Sequence, residues 1–220
     1  MKLTRVLTMT TIALILPLAV LAALDAEVVS ASGKVEVRET DSGPWTAVST
    51  GMQVPVGATI STSFNASAEL RIGESTVSVS QLTRIRIDEL VSEGGTDRSD
   101  LNLRVGRMSA EVRSAEGGRA EFRVRSPIAT ASVRGTDFEF DGVNLSVSEG
   151  IVLLANRFNE AVAVLGGEES TAAGDGPPPT AAEQSESDAT VTVSTGSGGG
   201  TPTVRTPTRG GLTINWQVVQ

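Results

Sequence analysis

The segment Arg134-Gly135-Thr136-Asp137-Phe138 is the strongest candidate for chemistry, because it places a cation beside a hydroxyl and a carboxylate. In a catalytic interpretation, Arg134 would bind an anion and Asp137 would act as an acid. The side chain best suited to proton transfer near neutral pH is histidine, and the chain contains none. The same residues suit a tight turn, in which Gly135 adopts a permissive backbone and Thr136 and Asp137 bond nearby amides. We therefore predict a structural turn that delivers Phe138 to the core.

Two acidic motifs invite enzymatic interpretations that their context disfavours. Asp41-Ser42-Gly43 has the letters of an aspartic protease motif, but that chemistry needs two carboxylates sharing a proton, and no second copy occurs. Asp88 and Glu89 could form a carboxylate pair, but adjacent residues of a strand point to opposite faces. The absence of Cys excludes disulfides, thiolate nucleophiles and Cys-ligated metals. The sequence therefore predicts no catalytic, metal-binding or cofactor-binding residues.

Tryptophan and arginine side chains are the candidates for recognition. Trp45 could stack on a sugar ring, with outward arginines such as Arg123, Arg125 and Arg134 beside it. A Trp next to a turn more often covers the edge of a core. The net charge of −8 argues against a nucleic-acid binder, which presents a basic face to phosphate. We interpret Trp45 and Trp216 as candidate interaction residues and favour a protein partner over a glycan.

The elements that must position these residues are strands, since apolar and polar residues alternate along the body of the chain. The alternation changes phase at Gly106, because Leu103 and Val105 lie at odd positions and Met108 at an even one. A glycine there permits the bend or bulge that such a shift requires. The continuous apolar run Ile151–Ala155 predicts a strand buried on both faces. The sequence thus predicts an all-β domain of the sandwich, barrel or solenoid kind.

The N-terminus has the pattern of an export signal. Lys2 and Arg5 precede an apolar run from Val6 to Leu24 that ends in small residues. The run approaches the ~20 residues that a membrane helix needs, so an uncleaved anchor is the alternative. We assign residues 1–26 to a signal peptide, with cleavage near residues 22–26. This predicts a periplasmic or secreted protein that has no membrane span once the signal is removed.

The composition changes at the end of the predicted β domain, which we assign to residues 27–166. Residues 167–211 are rich in Ser, Thr, Gly and Pro and predict a disordered, low-complexity linker. Residues 212–220 alternate again, with Trp216 on the apolar side, and predict a strand-like segment. Such a strand pairs with an edge of the chain's own sheet or with a partner, and the chain's own edge is favoured.

A series of ordered motifs resembles the FecR domain family and spans about Val28 to Leu165. The motifs are Gly33-Lys34-Val35, Trp45, Gly51, Val56–Thr62, Ala68–Ile72, Val77–Val79, Leu103–Met108, Phe122–Ala129, Ser132–Phe138 and Val147–Val152. The resemblance implies a β-solenoid-like or sandwich-like domain outside the cytoplasm. We interpret the residues of these motifs that suit turns and corners as structural: Gly57, Gly106, Pro127, Arg134, Gly135, Thr136, Phe138 and Gly150.

The family also suggests a function. Its sigma-regulator members carry a cytoplasmic anti-sigma segment before a membrane helix and receive a signal from an outer-membrane receptor. No such segment precedes the apolar run here, so anti-sigma activity is not expected. We expect a non-enzymatic, exported protein-interaction module of the bacterial cell envelope, with a link to envelope signalling. The alternative is a structural envelope protein associated with glycan or peptidoglycan.

Overall fold

The computed structural model describes residues 24–174, 176–180 and 182–183, and these contain seventeen β-strands. The first nine are β1 (Ala26–Ser32), β2 (Val35–Arg38), β3 (Thr46–Ala47), β4 (Gln53–Val54), β5 (Thr59–Thr62), β6 (Ser67–Ile72), β7 (Ser75–Val79), β8 (Arg84–Glu93) and β9 (Thr96–Val105). The others are β10 (Met108–Glu111), β11 (Arg119–Arg125), β12 (Ala129–Val133), β13 (Asp137–Phe140), β14 (Asn144–Glu149), β15 (Ile151–Asn156), β16 (Ala161–Leu165) and β17 (Glu169–Thr171).

The strands form two open sheets that enclose one core. Sheet A has the order β17-β14-β13-β10-β7-β6-β1-β4, and sheet B has the order β16-β15-β12-β11-β9-β8-β5-β2-β3. Each sheet has free edges, so the domain is a sandwich and not a closed barrel. The all-β prediction is confirmed, and so is its sandwich form. A solenoid-like feature is also present, because the chain repeatedly leaves one sheet for the other.

Alternation along the strands builds the core, as period-two patterns require. In β11, for example, Ala120, Phe122 and Val124 are buried while the charged residues between them are exposed. The Phe122 ring meets Phe138 of the opposite sheet edge-to-face, with centroids 6.2 Å apart. The remainder of the core is mainly aliphatic, and Phe140 lies fully buried within it.

One core prediction is wrong. The run Ile151–Ala155 was predicted to be buried on both faces, but Ile151 is 55% exposed and Leu153 is 47% exposed. Only Val152 and Leu154 point into the core. The reason is that β15 and β16 form the last hairpin of sheet B, and no described element packs on its outer face. The outcome is an apolar surface on a strand that is buried on one side only.

Strand β17 lies beyond residue 166, where we placed the end of the β domain. It pairs with β14 at the edge of sheet A, and the adjoining Ala172 is buried. Residues 176–180 continue along the domain, where the Ser170 hydroxyl donates a hydrogen bond to the Pro179 carbonyl oxygen at 2.7 Å. The β structure therefore extends into the segment predicted as linker. The predicted strand 212–220 and the predicted signal lie outside the described residues.

In the described part of the chain, no helix has the length and apolar character that a bilayer span demands.

Candidate interaction face

The motif around Gly135 forms a corner where the chain passes from β12 in sheet B to β13 in sheet A. The Thr136 hydroxyl is fully buried and lies 3.1 Å from the Ile151 carbonyl oxygen and 3.3 Å from the Ile151 amide nitrogen. Beside it, Gly150 has a φ of +90°, and a Cβ there would lie 2.6 Å from the Thr136 hydroxyl oxygen. Two sheet crossings therefore pack against each other through one threonine and one glycine.

The same arrangement recurs at a second pair of crossings. Thr83, also buried, holds the backbone of Arg107 through its hydroxyl, at 3.1 Å from the carbonyl oxygen and 3.0 Å from the amide nitrogen. Gly106 has a φ of +96° and packs on Thr83 as Gly150 packs on Thr136. In both copies the residue before the threonine has a positive φ, +55° at Leu82 and +62° at Gly135.

A third copy lacks the hydroxyl. Gly33 has a φ of +72° and packs against Ala66, which takes the place of the threonine. Asn65, the residue before Ala66, has a φ of +53°. The repeat explains why glycines recur at these junctions: each one fits between a crossing strand and its neighbour. This relation joins residues that are distant in sequence, so the sequence pattern alone did not reveal it.

Asp137 does not have the surroundings of a catalytic acid. Its carboxylate forms a two-fold ion pair with the Arg113 guanidinium, with an Nη2–Oδ2 distance of 2.8 Å. The hydrogen bond that Arg113 donates to the Asp137 carboxylate is the main cause that raises the pKa of Arg113 above its ordinary value. The described residues also contain no group of three or more His, Cys, Asp or Glu side chains suited to a metal ion. The motif Arg134–Phe138, the strongest candidate for chemistry in the sequence, forms a corner between the two sheets in the structure.

Pro127 and Gly57 occupy two other turns. Pro127 is exposed between β11 and β12, where the Ser126 hydroxyl accepts a hydrogen bond from the Ala129 amide at 3.0 Å. Gly57 has a φ of +90°, and its amide donates to the Ile87 carbonyl oxygen at 2.7 Å. Both residues shape the backbone at their turns.

We expect Gly135→Ala to lower the free energy of unfolding by about 1 kcal/mol. The φ of +62° disfavours any L side chain, although no atom lies within 4 Å of the position that a Cβ would take. Urea unfolding of the variant beside the parent protein measures the change. An unaltered midpoint would show that this turn tolerates a side chain and that the conformational argument fails.

The outer face of sheet B is the candidate site. Its outward positions on β8, β9 and β11, together with Arg134, carry eight arginines against five carboxylates, although the whole chain has a net charge of −8. The carboxylates are Asp88, Glu89, Glu93, Asp100 and Glu121. We call this surface the basic face, and its arginines are Arg84, Arg86, Arg98, Arg104, Arg119, Arg123, Arg125 and Arg134.

A buried carboxylate organises the centre of the basic face. Asp100 is only 3% exposed, and its Oδ2 lies 2.6 Å from Arg125 Nη2 and 3.5 Å from Arg123 Nη1. Its Oδ1 has no hydrogen-bond partner among the described residues. The guanidinium groups of Arg123 and Arg125 lie above it and are about half exposed. Both arginines are therefore held in place while remaining accessible from solution.

A shallow depression of about 210 Å³ lies beside this cluster. Arg98, Arg123 and Arg134 line it, and Arg98 forms an ion pair with Glu121 at 3.2 Å. Two of the three arginines proposed for recognition, Arg123 and Arg134, thus meet in one place, with Arg125 close by. Sequence alternation gave their outward direction, but only the pairing of β9 with β11 places them around Asp100.

Trp45 lies apart from the Asp100 cluster and is half-buried. The guanidinium carbons of Arg38 and Arg84 lie over its ring, 4.8 and 5.6 Å from the centroid. These cations occupy the region that a stacked sugar would need. Trp216, the other candidate, lies outside the described residues.

An apolar zone borders the basic face at the β15–β16 hairpin. Its large residues are Ile151, Leu153 and Leu165, of which the last is 49% exposed. Outward alanines fill the rest of the hairpin, and no charged side chain lies among them on these strands. We call this zone the apolar strip, and it consists of Ile151, Leu153, Ala155, Ala161, Ala163 and Leu165.

Comparison with known proteins finds a family similarity for the middle of the chain. Residues 58–153, a little under half of the chain, match the family model described as FecR protein. This stretch of the chain is similar to the FecR family. The match begins before β5 and ends within β15, so it includes the corners at Thr83 and Thr136 and most of the basic face. The family predicted from the sequence motifs is confirmed.

Two solved structures show a weaker similarity to this chain. Two crystal structures of a candidate anti-sigma factor from Parabacteroides distasonis ATCC 8503 have a TM-score of 0.45 and 19% identity to this chain. The similarity covers 55% of this chain and 57% of theirs, so the chain spans somewhat over half their length. No curated protein matches the chain significantly.

Proposed function

We propose that this protein is a non-enzymatic protein-interaction module of the bacterial cell envelope, exported by its N-terminal segment. We further propose that its basic face binds an acidic surface of a partner protein. The observation that carries the proposal is the charge asymmetry: eight arginines lie on one sheet face of a chain whose net charge is −8. Opposite potentials on two surfaces accelerate their association and select the correct partner.

The arginines are suited to protein recognition in particular. Arginine is enriched in protein interfaces, because its planar guanidinium forms paired hydrogen bonds with carboxylates. Asp100 restrains Arg123 and Arg125 before any partner arrives, which reduces the side-chain entropy that binding would otherwise cost. The N-terminal basic and apolar pattern supports export, and the FecR match supports a role in envelope signalling.

The glycan alternative receives less support. Trp45 was its stacking candidate, and the guanidinium groups of Arg38 and Arg84 occupy the space over that ring. An anionic glycan could still be attracted to the basic face, so binding to insoluble peptidoglycan is measured beside binding to envelope proteins.

The test compares two charge reversals of equal size. Arg134→Glu lies on the basic face, and Arg71→Glu lies on sheet A, where Arg71 pairs with Glu27 at 2.6 Å. Immobilised parent protein and both variants are incubated with envelope extract and then with the partner that the parent captures. We expect Arg134→Glu to weaken binding by roughly tenfold and Arg71→Glu to leave it unchanged. Added salt should weaken parent binding in the same direction.

Three results would contradict the proposal. Equal binding by the parent and Arg134→Glu would exclude the basic face. Equal losses in both variants would show an effect of net charge alone. Retention on peptidoglycan, with no protein captured, would favour the structural glycan-associated function.

A further inference from the structure

Strand β16 pairs with β15 on one side, and no described strand pairs with its other side. The apolar strip on these two strands is likewise exposed in the described residues. We propose that residues 212–219 of this same chain add to β16 as a further strand of sheet B and cover the apolar strip. This inference is independent of the partner proposed for the basic face, because it concerns a different zone and an intramolecular contact.

The four sheet edges differ in what they offer to an added strand. Edge strands β3 and β4 have two residues each, and β17 has three. Strand β16 has five residues, Ala161–Leu165, and none of them is charged. Short and charged edges resist strand addition, whereas a longer apolar edge accepts it. Of the described edges, β16 therefore has the most pairing capacity.

The backbone of β16 leaves hydrogen-bonding groups open. The Gly166 amide donates to Gly150, and the Asn156 amide donates to Glu160, so even-numbered positions of β16 face β15. The odd-numbered positions Ala161 and Ala163 must then direct their amides and carbonyls away from β15. No other described residue bonds to them there, whereas Leu165 is already bonded to Glu168.

The side chains of the two partners complement each other. Leu212, Ile214, Trp216 and Val218 share one face by period two. The apolar strip offers Leu153 and Ile151 behind a row of small residues, since Ala161 and Ala163 are the outward side chains of β16. In the proposed pairing, the Trp216 ring lies next to these alanines and is large enough to reach across them to Leu153. Neither partner has a charged side chain that pairing would desolvate.

The path of the chain brings the segment to this edge. The Asn156 side-chain amide donates to the Gly176 carbonyl oxygen at 2.8 Å, which holds the outgoing chain at the β15–β16 hairpin. The described chain ends at residue 183, and 28 residues, 184–211, separate it from the segment. By the relation for flexible linkers, 28 residues are enough to span about 30 Å. The N-terminal end of the described chain is elsewhere, because Leu24 lies against Gly73 near β6 and β7.

The two tryptophans of the chain permit a direct test. Trp45→Phe leaves Trp216 as the single indole, and acrylamide quenching of its fluorescence reports whether it is covered. We expect Trp216 to be protected in this variant at every protein concentration. Leu153→Glu, in the apolar strip, should raise the quenching constant severalfold. Ala163→Pro should do the same, because proline removes an amide on the free side of β16 and none that bonds to β15.

Val105→Glu is the matched control, since Val105 is also exposed, at 58%, but lies far from β16 along sheet B. It should leave Trp216 protected, and circular dichroism verifies that each variant is folded. The proposal would be overturned if acrylamide quenched Trp216 freely in the Trp45→Phe variant that carries no other substitution. Protection that survives both Leu153→Glu and Ala163→Pro would also overturn it. If Trp216 lost its protection in Leu153→Glu but kept it in Ala163→Pro, strand pairing would be excluded. If Trp216 lost its protection on dilution of the protein, the contact would belong to a second copy of the chain.

Discussion

Replacing Gly106 with alanine is expected to lower the free energy of unfolding by about 3 kcal/mol or more, through backbone strain and overlap combined. Its φ of +96° is unfavourable for an L side chain. The added methyl group would lie 2.7 Å from the Thr83 Cβ and closer still to the hydroxyl oxygen and Cα of the same residue. Thr83 cannot move aside easily, because its hydroxyl holds the backbone of Arg107.

Gly135→Ala is the control for this experiment. Gly135 shares the positive φ but has no atom within 4 Å of the added Cβ, so it reports the conformational cost alone. Urea unfolding of both variants separates the two contributions. If Gly106→Ala loses no more stability than Gly135→Ala, the packing of one crossing on the next does not stabilise the domain in the way we describe.

The second large effect is expected from Phe140→Ala, which should cost about 3–5 kcal/mol, because it leaves a cavity in a core that cannot fully collapse. Phe140 is fully buried in β13, an interior strand of sheet A. Phe64→Ala is the matched control, since Phe64 is 69% exposed and its loss should change stability by less than about 0.5 kcal/mol. Thermal and urea unfolding measure both variants, and similar losses would contradict the assigned core.

Alternation was sufficient to predict the strands and most of the core. It supported the prediction that Phe138 enters the core, and the phase change marked the bend at Gly106, because these properties depend on neighbouring residues only. The outer face of β15 was mispredicted for a related reason. Burial of Ile151 and Leu153 depends on whether another layer covers the sheet, and the sequence of one strand does not contain that information.

Long-range pairing limited the prediction of the site. The outward direction of Arg123 followed from the pattern, but its position over Asp100 depends on a parallel pairing of strands that are not consecutive. The contacts of Thr83 with Gly106 and of Thr136 with Gly150 likewise join separate crossings. Strand β17 was assigned to the linker because a three-residue strand, Glu169–Thr171, shows no periodicity that can be recognised.

The parallel pair β9–β11 also has a mechanical consequence. Among the described strands of sheet B it is the junction between the N-terminal strands and the C-terminal strands, and in sheet A the four-residue strand β10 has that position. Parallel pairing is slightly weaker per residue than antiparallel pairing. Tension that separates the N-terminal half of the sandwich from the C-terminal half would therefore act on this seam. The ion pairs of Asp100 with Arg123 and Arg125 bridge that seam and resist its separation.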